Sequence, residues 1–424
     1  MNRQAARHSS CRLLIDCTET TRVRAFTGIQ RTVRSLLDAG GAVDEAAFVP
    51  VRFDGARFRT ADAPTGLPAS VSVRERMRRL VLHGSRSPLL RATVFHPRVQ
   101  SGLRRGLAAG YWSVRRAGAG LGAQEAFVEY RGSDWLVLLD STWGPDLRPE
   151  IERARRAGAR VCVVVYDLIQ LHHPELVSPG AAEVFSRWLA RTLPLADRIL
   201  TISAAVRAEV EDHLRKQGLE TLVGRLDWFH LGCDLPAATA ASPSPDVEAL
   251  FAGSDAPTYL AVGTLEPRKS QETLVDAFES LWRRGDPSRL VLFGKEGWGS
   301  HGLVDRIARH PERNRRLVWK SDGTDADLRL CYAKATAVLN ASLCEGFGLP
   351  IVEAASFGAP VVASDIPVFR EVAGTDVAFV KPGDVDAWAR AIASKRVRTQ
   401  AMPARLPTWK ESASTLAVKL CACT

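Results

Sequence analysis

Residues 335–358, ATAVLNASLCEGFGLPIVEAASFG, admit few folds. The apolar run 335–341 reads as a buried strand bounded by a turn. Gly346 and Gly348 let the backbone approach a ligand with its N–H groups exposed. Pro350 suits the first turn of a helix, where its missing N–H costs nothing. That helix is expected to run to about 357 and stop at Gly358. Strand, glycine loop and helix N-terminus in this order gather unpaired N–H groups and the positive end of the helix dipole at one place. Two carboxylates flank it, Glu345 in the loop and Glu353 in the helix. Carboxylates are poor phosphate ligands but good acceptors for sugar hydroxyls. The combination points to a molecule carrying both phosphate and sugar, a sugar nucleotide.

The rest of the chain alternates strand and helix, the pattern of an α/β protein with doubly wound sheets. In the first half, strands are expected at 12–16, 135–139, 160–166, 198–202 and 226–230. The unbroken β-branched run at 160–166 marks a central parallel strand. Helices are expected at 149–157, 179–193 and from Ser203, a cap, to about 217. Gly28 follows the first strand and opens a helix for which Thr27 is the expected N-cap. That order is the usual phosphate- or acceptor-facing turn of a Rossmann-like half. Residues 236–257 are rich in Ala, Ser and Pro and read as a linker. Strands follow at 259–262, 290–293, 317–319, 335–341, 360–363 and 377–380, with helices at 271–284, 325–333, 349–357 and up to 394. The division is therefore 1–235, linker 236–257, second domain 258–394 and a tail 395–424 ending in a helix at 408–420.

With 424 residues and 46% apolar content, the chain can bury two ordinary domain cores. Its net charge of +10 is localised. Between Val73 and Arg116 lie eleven arginines and one acid, Glu75, which equals the whole excess. Leucines, valines and aromatics are interspersed with these arginines. Such an insertion suits peripheral contact with an anionic membrane. No recognised nucleic-acid motif accompanies the charge, so nucleic acid is not an expected partner. The eight cysteines form no C-x-x-C pair and read as reduced, mostly buried thiols of a cytoplasmic protein. No run of about 18 apolar residues is present, so no transmembrane helix is expected. The first ten residues lack the apolar core of a secretory signal.

The phosphate chemistry is read at a second strand end. Gly263-Thr264-Leu265-Glu266-Pro267-Arg268-Lys269 follows the first strand of the second domain. Open α/β sheets bind ligands there, and Arg268 with Lys269 can grip a diphosphate. In the first domain, Asp167, His172 and His173 follow the central strand. The D-x-D pairs Asp325/Asp327 and Asp384/Asp386 look like helix caps, not metal ligands. With two cations available for the diphosphate, no metal and no cofactor is expected.

Glu345 and Glu353 match the E-x7-E pattern of retaining GT-B glycosyltransferases, a family that includes many lipopolysaccharide mannosyltransferases. The phrases T-G-I-Q-R at 27–31, D-I-P-V-F-R-E-V at 365–372 and Y-D-L-I at 166–169 resemble its polysaccharide-mannosyltransferase branch. Gln170 departs from the proline usual there, and the resemblance makes Asp167 and His172 or His173 candidates to meet sugar or acceptor. The resemblance implies two Rossmann-like domains facing each other across a cleft, with a C-terminal helix crossing back to the first. It implies that Glu345 accepts hydrogen bonds from donor-sugar hydroxyls and that Glu353 binds the nucleotide ribose. Gly346, Phe347, Gly348 and Leu349 would hold sugar and phosphate, and Gly263, Thr264, Arg268 and Lys269 the diphosphate. It implies retaining hexosyl transfer, with GDP-mannose as donor and a lipid-linked saccharide as acceptor, at the inner face of the cell membrane. Residues 365–372 look structural or peripheral. A sugar-nucleotide epimerase, a phosphorylase, or an inactive sugar-nucleotide-binding subunit are the alternatives.

Overall fold

The computed structural model describes residues 11–22, 28–63, 126–235, 242–252, 256–373, 377–394 and 406–422. The basic segment 73–116 and the expected cap Thr27 lie outside the described residues. The elements below belong to one compact unit, which excludes residues 65–127.

The first half contains β1 (Arg12–Asp16), α1 (Thr18–Arg22), α2 (Gly28–Gly40), β2 (Ala47–Phe53), β3 (Phe58–Thr60), β4 (Asp134–Leu138), α3 (Arg148–Arg156) and β5 (Arg160–Val165). It continues with α4 (Ile169–His172), α5 (Ala181–Thr192), β6 (Arg198–Thr201), α6 (Ala204–Lys216) and β7 (Leu226–Trp228). Among the described residues these strands form one sheet in the order β3-β2-β1-β4-β5-β6-β7. Only β3 runs antiparallel to its neighbour. The order reverses between β1 and β4. Both faces of β1 are buried: Leu13 and Ile15 pack into one apolar cluster and Leu14 into another. This two-residue alternation is why the strand reads as uninterrupted apolar sequence.

After α7 (Pro245–Phe251), the second half runs β8 (Thr258–Val262), α8 (Gln271–Arg283), β9 (Arg289–Phe293), α9 (His301–Arg309), β10 (Leu317–Lys320) and α10 (Asp325–Lys334). It ends with β11 (Ala337–Asn340), α11 (Leu349–Ser356), β12 (Val361–Ser364), α12 (Pro367–Ala373), β13 (Ala378–Val380), α13 (Val385–Ala393) and α14 (Trp409–Cys421). Its parallel sheet has the order β10-β9-β8-β11-β12-β13, with the reversal between β8 and β11.

α14 returns to the first half. Ser412 Oγ donates to the His230 carbonyl at 2.7 Å, and Lys419 Nζ meets Asp227 at 2.6 Å. The Trp409 N–H donates to Asp234 at 2.6 Å. A Cβ on Gly232 would lie 2.4 Å from the Trp409 nitrogen, so only glycine lets the helix seat so closely. Leu416 and Leu420 are fully buried; removing either side chain should cost about 2–5 kcal/mol.

Three expectations need correction. Cys11 and Cys421 form a disulfide, with Cα atoms 6.2 Å apart, so the cysteines are not all reduced thiols. Their separation of 410 residues hid the pairing, because only the returning helix brings them together. The stretch 236–257 is not all linker: Pro245–Phe251 is helical, with Pro245 in the first turn and Ser244 bonded to Asp327 of α10. The short strands β2 and β3 were not expected. Pro50 within β2, and the half-buried rather than fully buried residues before Val51, obscured the pattern.

Candidate active site

The reversal point of the second sheet places two loops side by side. One follows β8 and carries Arg268 and Lys269; the other follows β11 and carries Glu345. Arg268 Nη1 lies 3.0 Å from Glu345 Oε2, and Lys269 Nζ pairs with Glu345 Oε1. Ser342 Oγ donates to the same Oε1 at 2.8 Å. Arg268 Nε also bonds Glu266 at 3.0 Å. The loops are tied by the backbone, since the Leu343 N–H donates to the Arg268 carbonyl at 2.8 Å. Burial alone would raise the Glu345 carboxyl, but Lys269 and Arg268 outweigh it and hold it at about 2. Burial works against the Arg268 charge too, yet Glu345, Glu266 and Asp167 leave its value raised.

Glycines permit this crowding. Gly263 has φ +142° and packs under Lys269: a Cβ there would be 3.6 Å from Lys269 Cε. The Thr264 carbonyl accepts from Gln271 Nε2 at 3.0 Å. Gly348, at φ +101°, caps α11 in the left-handed region. Gly346 abuts the first half directly, because a Cβ on it would sit 2.1 Å from the Tyr166 carbonyl oxygen.

Asp167, two residues past β5, joins the group. Its carboxyl is raised chiefly by burial, while Arg268 pulls it down and Glu345 pushes it up. It accepts from the Ile169 N–H at 3.1 Å. His172 sits elsewhere. It is about two-fifths exposed and its Nδ1 lies 3.9 Å from Glu209 on α6, with no bond to Arg268 or Glu345 among the described residues. His173 pairs with Glu175 at 3.4 Å. Glu209 is itself raised to about 6, by burial and then by Asp167, so this histidine pair borders the Asp167 side.

Glu353 lies on α11 and is 2% exposed. Arg31 Nη1 of α2 pairs with its Oε1 at 2.6 Å. Tyr332 donates to its Oε2 at 2.7 Å. The Glu353 carboxyl is raised by burial, which Arg31 only partly offsets. Leu349 opens the same helix, with Gly28 close by: a Cβ there would be 4.0 Å from Leu349 Cδ1. Phe347 is buried, its ring 5.6 Å from that of His230.

Arg31, Tyr332 and Ser342 are site residues that the sequence patterns do not mark. Arg31 stood inside the T-G-I-Q-R phrase, and Ser342 three residues before Glu345, but Tyr332 carries no local signal. Residues 365–372 are structural rather than peripheral. Both oxygens of Glu371 accept the amides of Ala204 and Ala205 at 2.8 Å, and His230 meets the same carboxylate at 2.7 Å. An acid from the second half thus caps α6 of the first. The D-x-D pairs do stand at helix starts: Asp327 completes a capping box with Thr324, and Asp384 caps α13. Among the described residues no cluster of His, Cys, Asp and Glu could hold a metal ion, and no helix is long and apolar enough to cross a membrane.

Residues 246–395 match the family model for glycosyl transferases group 1. The serotype-specific mannosyltransferase WbdA of Escherichia coli is 35% identical over 313 residues, covering 70% of this chain and 38% of WbdA. The O-antigen chain mannosyltransferase RfbU of Salmonella typhimurium is 44% identical over 135 residues, 32% of this chain and 37% of that protein. The chain thus spans under two-fifths of the length of these relatives. Anabaena HepE in complex with UDP and glucose superposes with a TM-score of 0.53 at 16% identity, covering 96% of this chain and 95% of HepE. A structure of trehalose-6-phosphate from E. coli bound with UDP-2-fluoro glucose gives 0.54 at 14% identity, covering 97% and 95%. At such identities these likenesses speak to the fold alone, and that fold is GT-B.

Proposed function

Because residues 246–395 are a glycosyl transferases group 1 domain in a GT-B fold, we propose that this protein is a retaining mannosyltransferase. It moves a mannosyl group from GDP-mannose to a hydroxyl of a lipid-linked saccharide during O-antigen or exopolysaccharide synthesis. The mannosyltransferase relatives WbdA and RfbU support the sugar. The observation that carries the reading is the buried group Arg268–Glu345–Lys269 at the second sheet's reversal point.

The chemistry follows from that group. In the donor-free protein, Glu345 supplies the negative partner of both cations. A diphosphate brings more negative charge and competes for Arg268 and Lys269, freeing Glu345 to accept hydroxyl hydrogens from the donor sugar. The bond from the anomeric carbon to the diphosphate oxygen breaks and the acceptor oxygen takes its place. The acceptor proton leaves with the diphosphate, on the face it departed from. Charge develops on the leaving oxygen, where two fixed cations are worth most. Asp167 borders the sugar from the first domain, and His172 stands farther out on the acceptor side. Two cations make a metal unnecessary, so transfer should survive a chelator.

Transfer from GDP-mannose, but not from UDP-sugars, to a lipid-linked saccharide extract tests the proposal, with product linkage read by NMR. Transfer restricted to UDP-sugars, or an inverted product, would overturn it. Donor incubated alone checks for free epimerised sugar, which would favour an epimerase. The basic segment 73–116 is the proposed membrane contact. Binding to anionic liposomes should weaken with salt and with charge reversal at Arg78 and Arg79. Equal binding to neutral liposomes would count against it.

A further inference from the structure

Glu353 is held by side chains from both halves. Arg31 comes from α2 of the first half and Tyr332 from α10 of the second, each on a different carboxylate oxygen. Tyr332 is 1% exposed. A carboxylate has about four lone-pair positions. Arg31 and Tyr332 use one on each oxygen and leave one on each. Two free acceptor positions on neighbouring oxygens match a vicinal pair of hydroxyls, which is what a ribose offers. A carboxylate buried this deeply needs a cation to stay charged, and the near one comes from the opposite half. The backbone contact of Gly346 with Tyr166 and the bonds of Glu371 to Ala204 and Ala205 hold the halves in this arrangement.

We infer that Arg31 is a positioning residue for the nucleotide end of the donor. It keeps Glu353 charged and aimed from across the molecule, so the ribose-binding carboxylate is complete only when the two halves meet. The inference rests on the proposed function, since it takes the ligand to be a nucleoside diphosphate sugar. Arg31 itself need not touch the ligand. The opposite role is a blocker that occupies Glu353 until donor displaces it. The two roles differ in sign.

The test uses the full chain as wild type, Arg31→Gln and Arg31→Lys, with GDP as the probe by calorimetry and GDP-mannose in steady-state transfer. Melting temperatures check folding. Arg31→Gln should bind GDP about tenfold or more weakly, the size of a lost charge-assisted hydrogen bond. Its donor KM should rise by a similar factor while kcat changes far less. Arg31→Lys keeps the charge and should recover part of the loss; if the Gln variant does not fold, an intermediate affinity in the Lys variant decides. GDP binding to Arg31→Gln that equals or exceeds wild type overturns the inference. No transfer from any nucleotide sugar, with GDP binding still weakened by Arg31→Gln, tells against the proposed reaction and upholds Arg31. Full transfer with unmoved donor KM does the reverse. A wild-type chain that binds neither GDP nor UDP overturns both.

Discussion

The Ser203 hydroxyl donates to the carbonyl of Gly346 at 2.9 Å. The same oxygen accepts from the Val206 N–H at 3.1 Å, capping α6. One hydroxyl therefore starts a helix in the first half and pins the glycine loop of the second.

Gly346 is the tightest point of that junction. A Cβ on it would come 2.1 Å from the Tyr166 carbonyl oxygen and 3.3 Å from Asp167 Cβ. Backbone cannot swing aside as a long side chain can. Gly346→Ala should lower the melting temperature and cut kcat/KM by about tenfold or more, since small misplacements near reacting groups are costly. Wild-type activity in this variant would show that the loop opens freely.

Lys269 and Arg268 should behave as catalytic cations. On the proposed function, Lys269→Ala removes one of the two charges that would face the leaving diphosphate, and kcat should fall about 10²–10³-fold. Arg268→Ala should cost at least as much, because Arg268 also holds Glu266 and Glu345. Folding is checked by thermal melts, since either change leaves the Glu345 carboxylate, 9% exposed, with a single cation. Loss of stability with unchanged kcat would make the pair structural.

Asp16 at the end of β1 sets a pH dependence. Burial, then the neighbouring Asp140, raises its carboxyl from 3.8 to about 7. An acid raised on folding holds more protons folded than unfolded, so its contribution falls as pH climbs from about 4 to 7. The side-chain carbonyl that Asp16→Asn introduces would still accept from the Thr18 N–H and hydroxyl, as the Asp16 carboxyl does. Asp16→Asn should therefore melt higher than wild type at about pH 8, with the gap closing near pH 4. A gap that widens toward acid would refute the assignment.

The Cys11–Cys421 bridge should contribute to stability. Closing so long a loop restricts the unfolded chain, and reducing such bonds typically costs about 2–4 kcal/mol. Melting with and without reductant, beside Cys421→Ser, measures this. Because Cys421 lies on α14 and not beside Arg268 or Glu345, reduction should leave donor KM unchanged at low temperature. A Cys421→Ser chain that melts like the oxidised wild type would remove the bridge from the energetics.

Much of this molecule was legible in its residues because parallel strands buried on both faces read as plain apolar runs, and Arg268, Lys269 and Glu345 follow such runs directly. What escaped is of another kind. The Arg31–Glu353 pair, the Glu371 cap on α6 and the cysteine bridge all join residues more than 150 positions apart, and no local period encodes them. The short helix Pro245–Phe251 was masked by the Ala, Ser and Pro around it. His172 was drawn toward the reacting groups by resemblance, while the short helix α4 turns it toward Glu209.

The bridge between residues 11 and 421 also closes the stretch between them into a ring. Their Cα atoms are 6.2 Å apart, a gap that a peptide of a few residues can close. Splicing there and reopening the chain at an exposed loop would give a circular permutant with the same two sheets. Order along the sequence would change while every neighbour around Glu345 stayed in place.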